Sequence, residues 1–183
     1  YTLTATNTAT GCIGSDTVVV TVDLSTPTAN AGADFTKTCT SNATGLQIGS
    51  TAVAGVTYSW TPTTGLSDAT IANPIANPIT TITYTVTATN TATGCSASDT
   101  VLVSVLSVFP TANAGTDFTK SCTSNINGAQ IGTTAVAGVT YSWSPTTGIS
   151  DATISNPTAN PSTTTIYTLT ATNSVSGCSS DDT

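Results

Sequence analysis

The chain contains no His, Arg, Glu or Met, and its only charged side chains are nine Asp and two Lys. Without His or Glu, a nucleophile–base pair would have to be built from Asp or Lys, and no stretch offers two carboxylates with a third partner. The composition therefore predicts a chain that is not an enzyme and needs no cofactor. Two Lys cannot form the basic surface that phosphate backbones require, which excludes nucleic acid as a partner. Long apolar runs are also missing. Mean hydropathy is slightly positive, at +0.17, yet no stretch approaches the ~20 apolar residues of a membrane-spanning helix. The chain is thus expected not to be membrane-embedded. With a net charge of −7, solubility must come from hydroxyl groups and scattered Asp.

What is abundant is Thr, about a quarter of the chain, and β-branched content favours strands over helices. The sequence also repeats itself every 83 residues. Tyr1, Tyr84 and Tyr167 recur at that spacing, as do Cys12, Cys95 and Cys178, Cys39 and Cys122, and Trp60 and Trp143. The two fuller copies agree at about three quarters of their positions, with no insertion. A period of this size is too long for a solenoid unit and suits one small all-β domain. The chain is read as part of a tandem array. Residues 1–24 are the C-terminal strands of a truncated repeat, residues 25–107 a complete one, and residues 108–183 one lacking its last strand. PTANAG at Pro27–Gly32 and Pro110–Gly115 marks where each repeat begins. Short linkers between them predict a rod-like array.

Each repeat carries one early cysteine (Cys39, Cys122) and one late cysteine (Cys95, Cys178). Two cysteines in register predict one disulfide per domain and hence an oxidising, extracellular setting. The expected pairs lie within repeats, Cys39–Cys95 and Cys122–Cys178, with the partner of Cys12 upstream. Each would close a loop of roughly 55 residues, contributing about 3–4 kcal/mol in the chain-entropy model. A metal site is disfavoured by the lack of His and of CxxC spacing.

Within residues 25–107, alternation predicts a first, edge strand over Asp34–Cys39 and a second over Leu46–Gly49, with Leu46 and Ile48 inward. A third strand carries Val56, Tyr58 and Trp60 on one face. Two Asn-Pro steps keep Pro62–Pro78 out of a central strand. Thr81–Asn90 is the clearest strand, with Tyr84, Val86 and Ala88 inward. Thr100–Val105 is the last. About seven short strands with turns every 8–12 residues predict a β-sandwich. Trp60, Trp143, Tyr84 and Tyr167 are its expected core.

The series YSWTPTTGLSDATIANP from Tyr58, then TYTVTATN and Gly94-Cys95, resembles the PKD-like and Ig-like repeats of very large surface proteins of Bacteroidota. Among these are the SprB-type gliding adhesins, exported by the type IX secretion system. The likeness covers essentially the whole chain. It implies tandem Ig-like or PKD-like sandwiches, a cell-surface location, and a role in adhesion, gliding motility or a surface filament. Antibody-type domains place a Tyr two residues before the second Cys, whereas Tyr84 lies well ahead of Cys95. The disulfide is therefore expected to join the first strand to the loop before the last strand rather than to cross the core.

Several residues are candidate sites. Asp68 and Asp151, in GLSD and GISD turns, are weak Ca²⁺ candidates, and Asp34 and Asp117 weaker ones. Ca²⁺ normally gathers several carboxylates, while Asp commonly caps a turn. Lys37 and Lys120 invite comparison with Lys–Asn isopeptide bonds, although an edge-strand Lys more often blocks unwanted pairing. Thr17 and Thr100, in Asp-Thr-Val, match a short O-glycosylation pattern that arises readily by chance. The Thr ladders at 83–89 and 166–172 are solvated faces that many copies would make multivalent toward surface glycans or other cells. The expected function is a structural stalk or adhesive repeat whose first partners are neighbouring identical repeats. Self-assembly into fibres is a variant of it. The alternative is an accessory spacer or carbohydrate-binding module of a secreted polysaccharide-degrading enzyme.

Overall fold

The computed structural model describes all 183 residues, Tyr1–Thr183, and is all-β. Strands β1 (Thr2–Thr6) and β2 (Ile13–Thr17) form an antiparallel hairpin. Both faces of this hairpin are exposed, since no second sheet packs on it.

The complete repeat builds six strands. They are β3 (Phe35–Lys37), β4 (Leu46–Gln47), β5 (Val56–Thr61), β6 (Ile75–Ala76), β7 (Ile82–Asn90) and β8 (Ser96–Val105). A four-stranded sheet runs in the order β3-β8-β7-β5, faced by the two-stranded sheet β4-β6. All pairings are antiparallel except β3 on β8, which is parallel. Alternation places Tyr84, Val86 and Ala88 inward from β7, and Val101 and Val103 inward from β8, all essentially fully buried. Trp60, 2 % exposed, fills the space between the sheets, and its indole N–H donates to the Ile71 carbonyl at 2.9 Å. The Tyr84 hydroxyl donates to Thr64 O at 2.6 Å. The large rings thus bury their area without leaving a polar atom unpaired. Gly49 makes this packing possible. Its φ is +82°, and a Cβ there would collide with the Ala72 carbonyl and lie 2.9 Å from the Trp60 ring.

The second repeat follows the first 83 residues later, with β9 (Ala129–Gln130), β10 (Val139–Ser144), β11 (Thr158–Ala159), β12 (Thr168–Asn173) and β13 (Ser179–Asp182). Its sheets are β10-β12-β13 and β11-β9, around Trp143 and Leu169, with Tyr167 at the margin. Strand β12 is shorter than β7 for a reason visible in the sequence. Ile82-Thr83 becomes Thr165-Ile166, which reverses the alternation and leaves Ile166 76 % exposed.

Two expectations about detail are corrected. The complete repeat has six strands, not seven. The segment ending at Ala31 packs into the core through single bonds, to Gly49 N and to the Asp99 carboxylate, rather than through a ladder. Leu46 is 43 % exposed while Ile48 is buried, because β4 is only two residues long and pairs with two.

Candidate functional site: the joint between repeats

The disulfide crosses from one sandwich to the other. Cys39 is bonded to Cys178, 139 residues away, with Cα atoms 5.0 Å apart. Cys12, Cys95 and Cys122 are free. The expected pairs within repeats are therefore corrected, and the reason is topological. Strand β3 runs parallel to β8 with Lys37 opposite Val105, so Cys39 emerges at the C-terminal end of β8. Cys95 immediately precedes Ser96, at the other end. Ten residues at ~3.3 Å each separate the two ends by about 30 Å, against the ~7 Å limit a disulfide tolerates. The end of a first strand is still joined to the turn before a last strand, but the two belong to consecutive repeats.

Each half of this joint is shaped by its own local bonds. On the Cys39 side, the Thr38 hydroxyl accepts from Thr40 N (3.2 Å) and Ser41 N (2.8 Å), curling the chain just after β3. Asn42, with φ +52°, donates its side-chain amide back to Thr36 O at 2.9 Å. On the Cys178 side, Asn173 closes the β12–β13 turn by accepting from Val175 N and Ser176 N, each at 3.0 Å. Gly177 N donates to Asn173 O at 2.9 Å.

The halves then meet. Cys39 N donates to Ser176 O at 3.1 Å. Gly177, at φ +67°, lies so close to Thr40 that a Cβ would contact that side chain at 2.5 Å. Cys178 and Ser176 are fully buried. The Ser176 hydroxyl donates to Val108 O at 2.8 Å, fastening the turn to the linker between the sandwiches. Further along, Ser180 Oγ accepts from Ala112 N (3.1 Å) and donates to Pro110 O (2.6 Å), and Asp182 accepts from Ala114 N at 2.8 Å. In the preceding repeat, Thr93 stands in for Ser176 and donates to Ser25 O at 3.1 Å.

The other candidate residues lie outside this joint. Asp68 Oδ1 accepts from Thr70 N (2.8 Å) and the Thr70 hydroxyl (2.7 Å), and Asp151 does the same with Thr153. The hydroxyl bond first, and the backbone bond second, hold both carboxyls below the usual range. No three acidic or thiol groups converge anywhere in the chain. Asp34 accepts from Leu102 N at 2.7 Å, which ties the start of β3 to β8. Lys37 Nζ reaches over the small sheet to the Asn77 side-chain oxygen and to Pro78 O, the latter at 2.9 Å. Lys120 repeats this with Asn160 and Pro161. Neither Lys has a carboxylate among its hydrogen-bond partners. Thr100 is exposed on β8 opposite Thr85, and Thr17 is exposed at the end of β2. No helix is long and apolar enough to cross a membrane.

No protein-family profile matches the chain, and no curated protein matches it in sequence. Among solved structures, it is similar to extracellular cadherin domains 1–4 of protocadherin gamma B7, at 16 % identity and a TM-score of 0.31. That likeness covers 70 % of this chain, and the chain spans 39 % of the length of that structure.

Proposed function

We propose that the chain is a non-catalytic structural stalk or adhesive repeat region of a large extracellular surface protein. The observation that carries this reading is the covalent joint, which fixes one sandwich against the next and serves length and orientation rather than chemistry. A disulfide in that position also favours an oxidising compartment outside the cytosol. Near-identical repeats carry the same surface, so a weak contact on one face is presented many times along the chain. The resemblance to Bacteroidota surface repeats adds gliding adhesion or a surface filament as the specific setting. Stacking on sugars, which a carbohydrate-binding module needs, is not available to Trp60 and Trp143, each 2 % exposed.

The test is the size of the native polypeptide on the cell surface, with both of its ends sequenced. Many repeats and no catalytic domain are expected. A short chain carrying these repeats beside a His- and Glu-bearing domain would overturn the stalk reading.

A further inference from the structure

We infer that Cys95 and Cys122 are the open halves of further staples, each made to bond the adjoining copy of the 83-residue repeat. In this arrangement every early cysteine bonds the late cysteine of the following repeat, 139 residues downstream, as Cys39 bonds Cys178. The three free cysteines are those for which that partner falls outside residues 1–183. From Cys122 it lies downstream, and from Cys95 and Cys12 upstream.

Spacing is not the only support, because both open halves already have the bonded shape. Around Cys122, the Ser121 hydroxyl accepts from Thr123 N (3.2 Å) and Ser124 N (2.9 Å), and Asn125, at φ +48°, donates to Thr119 O at 2.8 Å. These are the bonds of Thr38 and Asn42 beside Cys39. Around Cys95, Asn90 accepts from Ala92 N (2.9 Å) and Thr93 N (3.3 Å), and Gly94 N donates to Asn90 O at 2.8 Å. These are the bonds of Asn173 and Gly177 beside Cys178. Gly94 has φ +74° and open space where Gly177 meets Thr40. That space is where the early-cysteine turn of a preceding repeat fits.

The chemistry is an ordinary thiol–disulfide exchange. The Cys122 thiolate attacks a small-molecule disulfide such as oxidised glutathione, and one glutathione thiolate leaves. The late-cysteine thiolate of the next repeat then attacks the Cys122 sulfur and expels the second. Two protein thiols are oxidised by two electrons in total, and one glutathione disulfide is reduced to two thiols.

The inference rests on the tandem-repeat reading and not on adhesion. The 183-residue chain is oxidised with glutathione disulfide, quenched in acid, alkylated and peptide-mapped. Cys39–Cys178 is expected as the one protein cross-link, with Cys12, Cys95 and Cys122 recovered alkylated or as mixed disulfides with glutathione. A second copy of Val101–Thr183 is then appended after Thr183, which continues the repeat in register. Cys122 is expected to lose its label and appear bonded to the added copy of Cys178, while Cys39–Cys178 persists as the internal reference. In the same extended chain, Cys122→Ser should free that added cysteine alone. The inference is overturned if Cys122 stays alkylated or glutathionylated, if it bonds the original Cys178, or if Cys39–Cys178 fails to form. A stapled array found beside a catalytic domain would instead remove the stalk reading and leave the joint rule standing.

Discussion

Cys39 and Ser176 are joined by a backbone hydrogen bond of 3.1 Å, two residues from the sulfur that Cys39 also bonds. The two sandwiches therefore meet through backbone as well as through sulfur, and the covalent bond closes a contact whose two sides are each preformed.

That bond constrains the unfolded chain more than either folded core, since each sandwich has its own hydrophobic cluster. In concentrated guanidinium, the oxidised chain should elute as a distinctly more compact species than the reduced one, because residues 39 and 178 stay joined. Cys39→Ser should match the reduced chain with or without reductant. Equal elution of oxidised and reduced wild type would contradict the cross-link.

Trp60→Ala removes the largest side chain buried between the sheets and leaves the Ile71 carbonyl without its indole donor. A loss of about 3–5 kcal/mol is expected in the first sandwich, measured by denaturant unfolding, with the Trp143 fluorescence transition little changed. A near-neutral result would move Trp60 out of the core.

Gly49 and Gly55 separate backbone strain from crowding. Both have positive φ, +82° and +75°, but a Cβ at Gly55 would meet only Thr91 Oγ1, at 3.9 Å. Gly55→Ala should cost about 1–2 kcal/mol, the left-handed penalty alone. Gly49→Ala should cost clearly more, because it also drives against Ala72 O and Trp60. Equal losses in thermal unfolding would refute the close approach.

Asp99 accepts from Ala31 N at 2.8 Å, and that bond, followed by one from Thr100 N, holds its carboxyl below the usual range. A carboxyl whose folded pKa is depressed contributes stability above its unfolded value, near pH 3.9. That contribution is lost as pH falls through the folded value. The melting temperature of the first sandwich should therefore drop below about pH 4. Asp99→Asn should lower it at neutral pH and shrink the acid dependence. Some dependence should persist, since Asp68 and Asp151 are shifted in the same direction. An unchanged acid limb would remove Asp99 as its main source.

The strands were legible where side chains alternate over six or more residues, as around Trp60 and Tyr84. The joint was not, although all its residues were in view. Counting cysteines gives number and order, but pairing depends on which end of a sandwich each occupies. That is set by the parallel run of Phe35–Lys37 along Val103–Val105, a three-residue contact across 68 positions with no periodic signature. Alternation likewise overreached at Leu46, where it assumed a strand long enough for the sheet above to cover both inward positions.

A pull on the two ends of this chain would load β3 and β13 but bypass the strands from β4 to β12. Tension entering β3 leaves through sulfur into the turn before β13, and the 138 residues between Cys39 and Cys178 hang beside the line of force. With every joint closed in the same way, the backbone on the line would be the segment from a late cysteine to the next early one, 27 residues from Cys95 to Cys122. Fully drawn out, that segment spans about 95 Å and serves two repeats. A fibre so built has almost no slack to give. It would behave as a tether of nearly fixed length: drawing the segment straight pulls β8 out of its sheet, and beyond that only breaking or reducing sulfur lengthens the fibre.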